Sequence, residues 1–255
     1  MDNRRERFKQ AENFVVYYGE SSKWELNGYD IAIIEPAGYH DSEIKRIQKS
    51  GTLVLAYLSF LEIPPWSDVL KFLEKDDFLS VDGERVFNQE YGNFCADLTS
   101  AKWQGLLMNK ASELLEYRCY DGLFIDTIGF LEDKQLPINK REVQIKNAKE
   151  IIQKIRTIYP DHIFIQNCGI IEVIRSTFSL IDGVCWENPP LESEDELVKK
   201  LLGNLSTLQM NSGLTVFLLL EDIKIQSLRY HKAHEQAVKN NFLLYNATNG
   251  YAKQP

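Results

Sequence analysis

The chain has 255 residues, of which 44% are hydrophobic and 26% charged, and its net charge is −8. This composition is that of a soluble globular protein and excludes disordered, collagen-like and coiled-coil classes. The acidic balance argues against nucleic acid and anionic membrane surfaces as partners and suits a cationic one.

The length matches the roughly 250 residues of one eight-fold β/α barrel, so residues 1–255 are read as one domain. The run Met1 to Arg7 is charged and no apolar segment follows it, so no secretory signal is visible. The chain therefore reads as cytoplasmic as it stands, or as secreted if a signal has been removed. No stretch approaches the ~18 apolar residues of a membrane span, and nothing in the residues fixes an oligomeric state.

Short β-branched or aromatic runs alternate with segments of helical period, the signature of repeated βα units around a parallel sheet. Eight strands are predicted: Phe14–Gly19, Ile31–Glu35, Leu53–Ser59, Gly122–Asp126, His162–Asn167, Gly183–Glu187, Thr215–Glu221 and Phe242–Asn246. Between them, Trp103, Leu107, Ala111 and Leu114, then Ala148, Ile151, Ile152 and Ile155, then Val198, Leu201 and Leu205 recur at helical spacing. Asp41 is expected to cap the helix holding Ile44 and Ile47, and Pro160 to stop the helix that ends near Tyr159. The fold class is α/β, a single (β/α)8 TIM barrel.

The longest irregular region runs from residue 60 to residue 98. Its Pro64-Pro65-Trp66 turn cannot continue a helix and is expected to wall a cleft. Cys95, Cys119, Cys168 and Cys185 lack Cys-x-x-Cys spacing and read as small buried residues. Of the four histidines, His40, His162, His231 and His234, His162 opens a strand at the end away from the rim and His231 with His234 reads as part of an outer helix, so no metal site and no cofactor are expected. Phosphate-binding Gly-rich loops and a Gly-x-Ser-x-Gly elbow do not occur in the sequence.

In a barrel the C-terminal ends of all strands share one rim, and chemistry is expected there. Those ends carry Glu20, Glu35, Ser59 with Glu62 just beyond, Asp126, Gln166-Asn167, Trp186-Glu187, Glu221 and Asn246. The rim is acidic and has no Lys or Arg at the strand ends, so its acids raise one another's pKa, as a general acid requires. Carboxylates with Trp, Tyr, Asn and Gln are the residues of carbohydrate chemistry, in which acids cleave the glycosidic bond, rings stack on sugars and amides bind hydroxyls.

Asp126 and Glu187 each end a fully apolar strand and are the candidate catalytic pair. Tyr17, Glu35, Tyr57, Glu62, Trp66, Gln166, Asn167, Trp186 and Glu221 are candidate substrate-binding residues. Tyr17, Tyr18 and Tyr57 lie inside strands, where core packing competes with a role in binding. Trp66 and Trp186 are balanced between packing and a sugar platform.

These residues also carry a family resemblance. The marks are Tyr17-Tyr18-Gly19, Tyr29-Asp30-Ile31-Ala32-Ile33-Ile34-Glu35, and Val54-Leu55-Ala56-Tyr57-Leu58-Ser59 followed by Glu62. Further along stand Tyr120-Asp121-Gly122-Leu123-Phe124-Ile125-Asp126-Thr127, Ile165-Gln166-Asn167-Cys168-Gly169, and Ile181-Asp182-Gly183-Val184 before Glu187.

In that order they resemble the endo-α-1,4-polygalactosaminidase type of glycoside hydrolase, family 114, whose barrel is similar to the hydrolase domain of a Pel-type exopolysaccharide protein. The resemblance implies that Asp126 and Glu187 match the family's two functional carboxylates. It also implies a galactosaminide polymer as substrate, cationic where deacetylated. The family often has a second Asp shortly after the strand-four Asp-Thr, where this chain has Gly129.

The preferred reading is an endo-acting, retaining glycosidase with Asp126 as nucleophile and Glu187 as acid and base; the reverse assignment stays open. A non-catalytic saccharide-binding barrel is the alternative. A lyase or isomerase would need a cationic or metal electrophile that the rim lacks.

Overall fold

A computed structural model describes residues 4–20, 25–248 and 250–252. Met1, Asp2 and Asn3 of the charged N-terminal run lie outside the described residues.

Eight parallel strands form one sheet: β1 (Phe14–Tyr17), β2 (Ile31–Ile34), β3 (Leu53–Ser59), β4 (Gly122–Asp126), β5 (Ile163–Asn167), β6 (Gly183–Glu187), β7 (Thr215–Glu221) and β8 (Leu243–Ala247). They are hydrogen-bonded in chain order, and β8 returns beside β1 to close a barrel. Phe14 meets Tyr245 across that seam with ring centroids 5.7 Å apart. Most strand residues are buried, because side chains alternate between the barrel interior and the layer of helices outside.

The helices are α1 (Arg4–Lys9), α2 (Asp41–Lys49), α3 (Ala101–Ser112), α4 (Ile138–Ile158), α5 (Val173–Thr177), α6 (Glu196–Ser212) and α7 (Leu228–Asn240). Asp41 is the first residue of α2 rather than its cap. His40 holds the cap position, and its backbone N–H donates to Glu43 at 2.7 Å. Helix α4 stops at Ile158, just ahead of Pro160, as its sequence predicts.

The region between β3 and α3 is more ordered than its composition suggested. It folds into a small antiparallel sheet of residues Glu62–Ile63, Asn93–Cys95 and Phe87–Asn88. Pairs this short have no readable alternation.

The bottom of the barrel is latched by two aspartates that precede strands. Asp121 donates its N–H to the Val54 carbonyl (2.8 Å), and its carboxylate accepts from the Val54 N–H (2.9 Å). Asp182 does the same with Phe164, at 2.8 and 2.9 Å. Helix α1 supplies the counter-charges, Arg4 to Asp121 at 3.0 Å and Arg5 to Asp182 at 2.7 Å, and Arg156 of α4 meets Asp182 at 2.6 Å. Gly122 follows the first latch for a steric reason, since a Cβ there would stand 2.0 Å from the Ile163 carbonyl oxygen.

Candidate active site

At the opposite end the strands deliver their last residues to a cavity of about 620 Å³. Glu35, Glu62, Glu90, Asp126, Asp133 and Glu187 all line it, and no Lys, Arg or His stands among the described residues of its wall. Four successive strands turn sharply after their last residue. Thr127, Cys168, Asn188 and Asp222 each have a left-handed φ, between 45° and 65°, a conformation that non-glycine residues adopt only when their surroundings impose it. At the first of these turns the Thr127 hydroxyl oxygen accepts from the backbone N–H groups of Phe60 (3.1 Å), Leu61 (2.9 Å) and Glu62 (3.2 Å).

Asn167 joins the two candidate catalytic acids. Its Nδ2 donates to Asp126 Oδ1 at 2.7 Å and to Glu187 Oε2 at 2.6 Å. Those two oxygens are therefore at most about 5.3 Å apart, the length of the two bonds laid end to end. Asp126 also accepts from the Thr127 N–H and from the Tyr57 hydroxyl, and the Tyr251 hydroxyl donates to Glu187.

Burial pushes the Asp126 carboxyl above its ordinary range, against the pull of those three donors. Glu187 is raised first by burial and then by the negative charge of Asp126, while its bonds to Tyr251 and Asn167 work the other way. The Cys168 thiol on the same wall is pushed up to about 12 by burial and by Glu187, so it stays protonated at neutral pH.

Glu35, Tyr57, Glu62 and Asn167 of the sequence-derived set line this cavity with Asp126 and Glu187. Glu62 is held by the side-chain amides of Asn88 (2.7 Å) and Asn93 (2.9 Å) from the small antiparallel sheet.

The other five candidates stand elsewhere. Tyr17 is 1% exposed in the core, and Tyr18, the next residue, reaches the cavity in its place. Gln166 is fully buried on the helix side of β5, where it accepts from the Thr177 hydroxyl at 2.6 Å. Trp186 is buried beside Glu187 but off the cavity wall, and Trp66 is 80% exposed and off the wall as well. Neither Trp is therefore a platform in this cavity; of the Pro64-Pro65-Trp66 turn, Pro64 lines it. Glu221 ends β7 outside the wall, although its charge still raises Glu187.

The aromatic surface comes instead from Tyr18, Tyr57, Tyr91, Phe130 and Tyr251. Tyr18 packs against Tyr57 and Tyr251 with centroids 5.2 and 5.1 Å away. Asn246 is engaged in structure, its side chain bonding both backbone groups of Ile223. Gly129 is on the wall, and a Cβ there would stand 2.6 Å from Cys168 Cβ, so an Asp fits at this position only if Cys168 moves. Asp133, four residues on, brings a carboxylate to the same wall.

Cys95 and Cys185 are buried and Cys168 half-buried, whereas Cys119 is exposed, contrary to expectation. Among the described residues no group of three or more His, Cys, Asp or Glu could hold a metal ion, and no helix is long and apolar enough to cross a membrane.

No protein-family model and no curated protein sequence matches this chain. Solved structures do. The glycoside hydrolase domain of PelA from Pseudomonas aeruginosa superposes with a TM-score of 0.76 at 17% identity, over 95% of this chain and 97% of that one. The fold is that of the PelA hydrolase barrel. Ega3 of Aspergillus fumigatus, solved in complex with galactosamine, shares the barrel at a TM-score of 0.73 and 13% identity, covering 95% of this chain and 93% of that one. The α-galactosidase TtGalA of Thermus thermophilus follows at 0.63 and 12% identity, with 95% of this chain covering 59% of that one.

Proposed function

We propose that this chain is a glycoside hydrolase that cleaves a galactosaminide-type amino-sugar polysaccharide from within and retains the anomeric configuration. The observation that supports this reading is the bridge made by Asn167 between Asp126 and Glu187. Retaining glycosidases hold their two carboxyls ~5–5.5 Å apart, whereas inverting ones leave ~6.5–9.5 Å for a water molecule. An upper bound of about 5.3 Å between the bridged oxygens fits the first arrangement.

In the first half-reaction an Asp126 oxygen attacks the anomeric carbon. The glycosidic C–O bond breaks, and the Glu187 proton passes to the leaving oxygen. In the second, Glu187 takes a proton from water, the water oxygen bonds to the anomeric carbon, and the Asp126 carboxylate departs. Three donors orient Asp126 as an anion, which suits a nucleophile. Burial and like charge favour the protonated form of Glu187, which suits an acid.

The preparation that tests this is the protein incubated with a panel of amino-sugar polymers. Shortened products whose new reducing ends first appear in the substrate's own configuration are expected. Binding by calorimetry without any product would establish the saccharide-binding alternative instead.

Two further results are expected. The five cavity acids other than the protonated Glu187, with no cation among the described residues of the wall, should hold a polycationic chain electrostatically. Polymer affinity should therefore fall severalfold as added salt shortens the Debye length from ~10 Å to ~3 Å. An affinity constant across that range would point to a neutral substrate.

Tyr251→Phe removes a hydrogen bond that holds the Glu187 pKa down. The general acid then stays protonated to higher pH, so the alkaline limb of kcat/KM should move upward, with a loss in kcat of roughly tenfold or less. An unmoved limb would separate Tyr251 from the acid.

A further inference from the structure

Of the six acids on the cavity wall, Glu62 is the most deeply buried, at 5% exposure. Asp126 and Glu187 form the proposed catalytic pair, Glu90 and Asp133 are exposed, and Glu35 feels the charge of Lys110. Glu62 forms no ion pair among the described residues, and the charges that bear on it, Asp126 and Glu90, are negative.

The small antiparallel sheet holds this side chain in place. Asn88 and Asn93 are directly opposite one another on its other two strands, and each gives an Nδ2 bond to one carboxylate oxygen, at 2.7 and 2.9 Å. The Glu62 N–H is bound by the hydroxyl of Thr127, the residue after Asp126, so the main chain of Glu62 is tied to that of the proposed nucleophile.

Two neutral amides satisfy hydrogen bonding but leave the buried charge uncompensated. Each carboxylate oxygen can accept a second bond. The far end of Asn88 is used, since its Oδ1 accepts from the Glu90 N–H at 3.0 Å, whereas Asn93 Oδ1 is buried without a donor among the described residues. Buried acceptors are nearly always paired, so this one calls for a donor from a ligand.

The unmet demand at Glu62 and Asn93 is therefore for positive charge and for N–H donors. An ammonium supplies both, with three donors and no acceptor, whereas a hydroxyl brings one donor and no charge. An amino sugar carries its ammonium on C2, next to the anomeric carbon that Asp126 attacks, and contacts at this position strengthen in the transition state of retaining hydrolysis.

We infer that Glu62, together with Asn93 Oδ1, receives the C2 ammonium of the sugar unit bound at Asp126 and makes the site select a free-amine unit over a neutral one. The inference rests on the amino-sugar reading of the cavity and names the residues that recognise the amine.

Calorimetry at a salt concentration that shortens the Debye length to ~3 Å tests it, because exposed charges are then screened and a buried contact much less so. The probes are hydrolysis-resistant, thio-linked trimers of galactosamine and of galactose, which differ only at C2. The unaltered protein should prefer the amine trimer by roughly tenfold or more. Glu62→Gln should reduce that preference about fivefold or more while holding the galactose trimer within about twofold. Asn93→Leu removes the open acceptor and should reduce it about threefold. Asp133→Asn takes the same charge from an exposed part of the wall and should have less than half the effect of Glu62→Gln at this salt.

Equal binding of the two trimers by the unaltered protein would overturn the assignment and leave a saccharide site standing. A preference that survives Glu62→Gln, an equal loss of both trimers, or a loss as large in Asp133→Asn would overturn it too. If Glu62→Gln does not fold, Asn93→Leu decides by the same ratio. Binding of neither trimer by the unaltered protein would overturn the polysaccharide reading itself.

Discussion

Asp126→Asn is expected to reduce cleavage of the natural polymer by roughly 10³-fold or more, since an amide cannot form the glycosyl ester on which the second half-reaction depends. Glu187→Gln should lose about 10²–10⁴-fold on the same polymer, and much less on a substrate whose leaving group departs unprotonated. The two substitutions thus separate nucleophile from acid by their dependence on the leaving group. Both variants should fold, because these half-buried side chains end strands at the rim and bond to Asn167, Tyr57 and Tyr251 rather than to the core. Product release at the wild-type rate from either folded variant, measured on the polymer, would refute the assignment.

The second large effect is on stability and lies at the other end of the barrel. Asp182→Ala would leave the largely buried Arg156 guanidinium without its carboxylate and the Phe164 N–H without its acceptor. Removing one partner of such a pair costs about 3–5 kcal/mol, because the remaining charge is poorly solvated. Arg5 reaches the same carboxylate from α1, so that helix should loosen as well. Chemical denaturation should report a loss near 3 kcal/mol with the active-site carboxylates unchanged. A loss below about 1 kcal/mol would show that water replaces the latch.

The strands were legible because a parallel strand covered on both faces needs a continuous apolar run, and Leu123 to Ile125 or Val184 to Trp186 can be little else. The two acids proposed as the catalytic pair are conspicuous for the same reason, each being the first residue after such a run. The difficulty lay one residue away. Tyr17 and Tyr18, Gln166 and Asn167, and Trp186 and Glu187 are neighbours in sequence and point to opposite faces.

Composition cannot tell which member of such a pair faces inward until one is anchored. Glu187 anchors its own strand and should have excluded Trp186. Tyr251, Asn88 and Asn93 were hidden differently. They come from a segment beyond the last strand and from two- and three-residue strands, where no periodicity exists to reveal a face.

The left-handed residues at the strand ends separate two mechanical regimes. Past Asn167, Glu187 and Glu221, the next residue in each case still gives its N–H to the adjoining strand: Cys168 to Cys185, Asn188 to Leu219 and Asp222 to Ala247. The ladder is therefore clamped one residue beyond each of these side chains before the chain leaves the sheet. Thermal motion, insertion or replacement of the loops that follow is damped at the clamp. The loops are thus free to diversify while the side chains beneath them keep their spacing.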